Sequence, residues 1–204
     1  MAEPRPESNE AERRELDRVG AFSDGVFAIA ITLLVLNLEM PADTDGIGDA
    51  LQSLDDDLTA YFIGFAVMGR FWYEHHKLFS KLDRSDPKLI WINMLLLSMV
   101  ALMPFTTDLI GTYDEPLAVA VYAVNVGLTS LAAGLTEMVA FRDRLAPDGA
   151  LGERSTLVRS NALVVAVFFA SVPIAFVSRT LAMLSWVLLF LGPRLMRRYE
   201  RRAT

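Results

Sequence analysis

Six stretches of this chain, residues 22–40, 58–73, 89–110, 117–141, 157–178 and 180–196, are apolar with few charges. Each is close to the roughly 20 residues that cross ~30 Å of hydrocarbon at 1.5 Å per residue. The expectation is an all-α polytopic membrane protein with six transmembrane helices. The first stretch follows an acid-rich segment, lacks a small-residue cleavage site and precedes five more apolar stretches, so it is read as a retained span and not a signal peptide. Residues 1–17 are read as a cytoplasmic tail and residues 18–202 as a single six-helix domain.

The basic residues are distributed unevenly. Of the 19 Lys and Arg, 17 lie in the amino-terminal tail, the connection between stretches 2 and 3, the connection between stretches 4 and 5, and the carboxy-terminal end. The connections between stretches 1 and 2 and between 3 and 4 carry no Lys or Arg, and that between 5 and 6 carries only Arg179. The positive-inside rule then places both termini in the cytoplasm, which requires an even number of spans. The opposite face is acidic, with Glu39, Asp43, Asp45, Asp49, Asp55, Asp56 and Asp57 around one connection and Asp108, Asp114 and Glu115 around another. A solvated loop accounts for such a surface; a mouth that gathers cations accounts for it as well. "GDALQSL" reads as a short surface helix, with Asp57 or an earlier Asp capping the second span. The "SRT" between the last two spans implies a tight antiparallel hairpin. No cysteine is present, which excludes thiolate chemistry and Cys-based metal sites. No nucleophile and base stand at a recognisable spacing, so no enzymatic step is expected.

The first stretch carries the informative pattern. Gly25, Ile29, Thr32, Leu33, Leu36 and Met40 share one helical face, while Asp24 points about 140° away from it at 100° per residue. Gly25 and Thr32 on that face favour contact with protein or water over lipid. If four copies met around an axis, Ile29, Thr32, Leu33 and Leu36 would form stacked rings, an apolar constriction with one hydroxyl layer, and such constrictions gate by dewetting. Asp24 needs a partner at membrane depth. Ser23, His75 or His76 of "RFWYEHHKLF", Trp72 and Asn93 lie at comparable depth, with Arg18 or Arg70 available as a counter-charge. Three readings stay open: a hydrogen-bonded staple between helices, an Asp–His proton relay, and a metal site. The metal site is disfavoured because His75 and His76 are adjacent and lie 100° apart on a helix.

Arg18, Phe22, Ser23 and Asp24 form R-x-x-x-F-S-D within "RVGAFSDGVFAIAITLLVL", followed by "FWYEHHKLF" and "WINMLLLSMVALMPF". These segments resemble the endolysosomal potassium channel family, specifically its single-repeat bacterial members. The resemblance covers the first three spans; the last three agree only in number and hydrophobicity. It implies a homotetramer whose first helices line a central pore without a P-loop or a T-V-G-Y-G filter. It further implies that Ile29 forms the constriction, Leu33 and Leu36 the next apolar layers, and Thr32 a polar layer favouring potassium. Arg18, Phe22, Ser23 and Asp24 are then packing and hydrogen-bonding elements, with Trp72, His75, His76 and Asn93, and do not line the pore. Arg18, eleven residues before Ile29, falls within about 20° of the pore face if the helix is regular, at the inner mouth. The expected function is a potassium-permeable cation channel in a bacterial inner membrane, with a modest preference for K⁺ over Na⁺. Its partners are the bilayer and monovalent cations. No cofactor, structural metal or nucleic acid is expected. The alternative is a proton-coupled secondary transporter using Asp24 with His75 or His76, against which stands the absence of helices broken in matching halves.

Overall fold

The computed structural model describes residues 6–39, 46–151 and 154–186. Met40, Asp43, Asp45, the end of the sixth apolar stretch and the carboxy-terminal arginines lie outside the described residues. The elements are α1 (Pro6–Leu33), continued by a 3-10 turn (Leu34–Asn37), then α2 (Ile47–Ser53), α3 (Asp55–Phe79), α4 (Pro87–Thr112), α5 (Pro116–Arg142) and α6 (Arg154–Ala175). Helical backbone resumes at residues 179–186.

Local chemistry explains where the helices start and stop. Asp86 caps α4 by accepting from the Lys88 amide at 2.7 Å, and Pro87 occupies the first turn, where its missing N–H costs nothing. Pro116 opens α5 in the same way. At the end of α5 the chain reverses through Arg144, which adopts a left-handed φ of 53°, so that the Leu145 amide reaches back to the Ala140 carbonyl at 2.9 Å. The expected aspartate cap on α3 is not formed. Leu54 holds the cap position without a side-chain bond, and Asp55, Asp56 and Asp57 fall inside the first turn, where their charges face the positive end of the helix dipole. The last hairpin is also shifted: Phe176 and Val177 make the turn, while Arg179 and Thr180 are already helical.

α1 begins well ahead of Arg18, inside the segment read as a tail. Its early part is mostly polar, yet Leu16 is buried against Leu78, Leu82, Leu89 and Leu145, and this contact holds the extension to the bundle. Further along, Phe27, Ala30 and Leu34 meet Val67 and Met68 of α3, with Leu96, Val100 and Met103 of α4 and Tyr122 and Val126 of α5 in the same core. Among the described residues, Glu10–Asn37, Pro87–Thr112 and Pro116–Arg142 are long and apolar enough to cross a bilayer, and Asn161–Ala175 is a shorter apolar helix.

The two ends of the bundle differ in charge. At one, the basic end, the amides of Asp83 and Arg84 donate to the Leu145 carbonyl (2.9 and 3.2 Å), Lys88 pairs with Asp143 (3.5 Å), and Ser85 donates to Glu15. At the other, the acidic end, Arg179 pairs with Asp114 and donates to the Ile110 carbonyl at 2.8 Å.

Candidate functional site

The side chains singled out in the sequence gather where α1 crosses α3 and α4. α1 presents two faces there. Leu16, Ser23, Phe27, Ala30 and Leu34 recur at spacings of three, four and seven and are buried. On the other side Gly25, Ile29, Thr32, Leu33 and Leu36 are exposed, Ile29 at 63% and Leu36 at 67%. Ile31, only two residues from Ile29, turns toward the core.

On the buried face Ser23 donates to the Val19 carbonyl one turn back (2.8 Å) and accepts from Asn93 Nδ2 of α4 (3.0 Å). Asn93 Oδ1 in turn meets His75 Nε2 of α3 at 2.8 Å. Since the amide nitrogen is committed to Ser23, the oxygen must accept, and the His75 proton sits on Nε2. All three side chains are buried, so this chain of bonds joins α1, α4 and α3 away from water. His75 is held further by Phe79, stacked at 4.2 Å between ring centroids, and by Phe27 at 5.5 Å. Its Nδ1 is buried without a partner among the described residues.

Asp24 is not bonded to either histidine. Its Oδ1 accepts from the indole Nε1 of Trp72 at 2.9 Å, and the Trp72 ring stacks on His76. Arg70 turns to Glu74, one turn on, at 3.9 Å, and Arg18 is exposed. The cluster proposed from sequence is therefore two separate connections. Ser23, Asn93 and His75 form the buried one, and Asp24 with Trp72 the more exposed one. Asp24, His75 and His76 nonetheless line one polar cleft of about 510 Å³ with Arg13 and Asp17. Phe22 is 55% exposed and stands outside both connections. Among the described residues no three of His, Cys, Asp and Glu are grouped to hold a metal ion.

Thr32, on the exposed stripe, directs its hydroxyl back along the helix, 2.9 Å from the carbonyls of both Ala28 and Ile29. Its proton is thus committed and its lone pairs remain on the stripe. Beyond the stripe, the Asn37 amide donates to the Pro104 carbonyl at 2.9 Å, fastening the end of the 3-10 turn to α4.

Sequence reading passed over another carboxyl inside an apolar stretch. Glu137, within the fourth apolar stretch, accepts from Asn161 Nδ2 at 2.7 Å and joins α5 to α6. The signal was the one that picked out Asp24, an acid inside an apolar run. Asn125 donates to Thr106 (3.1 Å) and Trp186 to Ser171 (3.0 Å), two more buried polar pairs that link helices.

Residues 18–104 match the profile of the family described as "Endosomal/lysosomal potassium channel TMEM175". The chain is 41% identical over 125 residues to a potassium channel of Streptomyces collinus, covering 58% of this chain and 61% of that protein. It is 41% identical over 120 residues to a potassium channel of Chamaesiphon minutus, covering 55% and 59%. The chain thus spans about three fifths of the length of these curated relatives. A crystal structure of a lysosomal potassium-selective channel TMEM175 homolog from Chamaesiphon minutus superposes with a TM-score of 0.77 at 28% identity, over 89% of this chain and 98% of that one. A variant of the potassium channel MtTMEM175, in complex with a nanobody–MBP fusion protein, has the same fold at a TM-score of 0.60 and 22% identity, over 91% and 92% of the two chains.

Proposed function

We propose, since residues 18–104 match the TMEM175 family profile, that this chain is a member of that family and a potassium-permeable cation channel of a cell membrane. In this reading it has six spans with both termini in the cytoplasm and assembles as a homotetramer around its first helices. The observation that carries it is the division of α1. One face is locked into the bundle by Ser23, Phe27, Ala30 and Leu34, while the face bearing Ile29, Thr32, Leu33 and Leu36 has no cover within the chain. A stripe facing only lipid has no use for Gly25 and Thr32; a stripe facing an axis shared with other copies does. Ile29 forms the narrowest ring, Leu33 and Leu36 the layers beyond it, and the Thr32 lone pairs the polar layer between. Ions pass when the apolar rings wet and stop when they dry. Arg18, exposed on α1, stands at the inner mouth. Ser23, Asn93, His75, Asp24 and Trp72 hold the pore helix to α3 and α4 and take no part in conduction.

The transporter alternative relied on a bonded pair of Asp24 and a histidine. Asp24 is bonded to Trp72 and His75 to Asn93, which supports the staple.

Purified protein in a planar bilayer under a K⁺/Na⁺ gradient tests the proposal. Unitary currents with a reversal potential displaced toward that of K⁺ are expected. Flux that is slow, shows no unitary steps and follows a proton gradient overturns it.

A further inference from the structure

At the acidic end, the end of α1 meets α3 and α4 around a small cavity lined by Leu34, Asn37, Asp57, Thr107, Asp108 and Gly111, among others. Three observations there call for a positively charged occupant. First, the carboxylates of Asp57 and Asp108 line this one cavity, and no Lys or Arg stands among its lining residues. The one cation in the neighbouring connections, Arg179, is already engaged by Asp114 and the Ile110 carbonyl. Second, the Thr107 hydroxyl, in a residue only 2% exposed, has no hydrogen-bond partner among the described residues. A buried hydroxyl left unmet is destabilising, so its persistence requires a reason. Third, the Asn37 amide nitrogen is spent on Pro104, which leaves its oxygen available.

We propose that this cavity is a binding site for a hard divalent cation, Ca²⁺ or Mg²⁺, held by the Asp57 and Asp108 carboxylates with the oxygens of Thr107 and Asn37. The donor set is all oxygen, with neither His nor Cys, and so selects hard ions over zinc or copper. Two carboxylates balance a divalent charge, and water completes the coordination, as is usual where only one or two carboxylates are supplied. The size fits. The cavity, about 10 Å³, has room for a single small ion, and the waters that complete its shell would lie on the cavity's open side. Gly111 makes the approach possible, since a Cβ at that position would lie 2.7 Å from Asp57 Oδ1. A bound ion ties the end of α1 to α3 and α4. The site stands whether or not the chain conducts potassium, and a binding measurement separates the two questions.

Full-length protein in detergent, stripped with EDTA, is titrated with Tb³⁺ under tyrosine excitation, Tyr61 being part of the same cavity wall, and Tb³⁺ is then displaced by Ca²⁺ or Mg²⁺. Saturable binding of one ion per chain is expected. Asp108→Asn should weaken it at least tenfold. Thr107→Val should weaken it severalfold without lowering the melting temperature in EDTA, since it removes a buried hydroxyl that has no partner when the ion is absent. Asp49→Asn, a carboxylate of the same acidic surface outside the cavity lining, should leave it unaltered. Absence of saturable binding overturns the proposal. So does equal loss in Asp49→Asn and Asp108→Asn, which would mean that the surface merely attracts cations, or undiminished affinity in Thr107→Val.

Discussion

Asn93 shows how much depends on one side chain in this molecule. It is fully buried and serves two partners at once, Ser23 through its nitrogen and His75 through its oxygen. Asn93→Ala leaves the His75 Nε2–H without an acceptor and Ser23 without a donor, both within buried side chains. The expected cost is about 1–3 kcal/mol, at the lower end if the unfolded chain in detergent finds substitute partners. Thermal unfolding of purified protein measures it. The exposed stripe yields a paired test. If Ile29 forms the narrowest ring as proposed, Ile29→Asn should wet it and relax discrimination among cations, whereas Ile31→Asn, whose side chain meets the core, should lower stability and leave the ion preference alone. Reversal potentials under K⁺/Na⁺ gradients read both. A change in Ile31→Asn with none in Ile29→Asn would mean that the ion path lies along another face. Asp24 was recognisable in the sequence as an acid at membrane depth, but its partner was not. Trp72, His75 and His76 differ by one to four positions on α3. Which of them reaches Asp24 depends on the angle at which α3 crosses α1 and on the reach of an indole, neither of which periodicity encodes.

Among the elements, α3 and α4 approach closely because one position has no side chain. A Cβ on Gly64 would fall 2.8 Å from both ends of the Thr107 side chain and 3.2 Å from a Leu34 methyl. Thr107 is short and branched at Cβ, so it cannot swing away cheaply. Gly64→Ala should therefore push α3 from α4 and from the end of α1 and destabilise by roughly 1–3 kcal/mol despite alanine's better helix propensity. Gly69, with nothing within 4 Å of its would-be Cβ, is the control, and Gly69→Ala should be neutral or mildly stabilising. Melting temperatures of the two variants decide the matter. The boundaries of α4 and α5 were legible within two residues, because apolar runs bracketed by Asp86–Pro87 and by Pro116 state both the span and its start. The early turns of α1 were not. They are polar nearly throughout, and a single leucine, Leu16, supplies the burial that keeps them helical against the bundle.

For the molecule as a whole, segregation of charge between the two ends is the feature that sequence and structure share. Connections rich in Lys and Arg meet at the end where Lys88 pairs with Asp143, and the acidic connections meet where Asp114 holds Arg179. The bilayer should therefore orient the bundle with the first end in the cytoplasm. A cysteine introduced at Asp49 should react with an impermeant thiol reagent applied to intact cells, and one introduced at Arg84 should react only after lysis. The reverse pattern would invert the assigned orientation.

Ser23 and Asn37 are both fastened to α4, through Asn93 and Pro104, and they lie 14 residues apart, about 21 Å along a helix. α1 is in effect a beam pinned at both ends of its working length, with Ile29 and Thr32 at mid-span. Such a beam does not slide along its axis without breaking a pin, but it bows and it twists. If the proposed pore runs along Ile29, a change in its bore is then a twist or bow of the exposed mid-span, with Phe27 and Ala30 shifting in the core, while the two ends stay still.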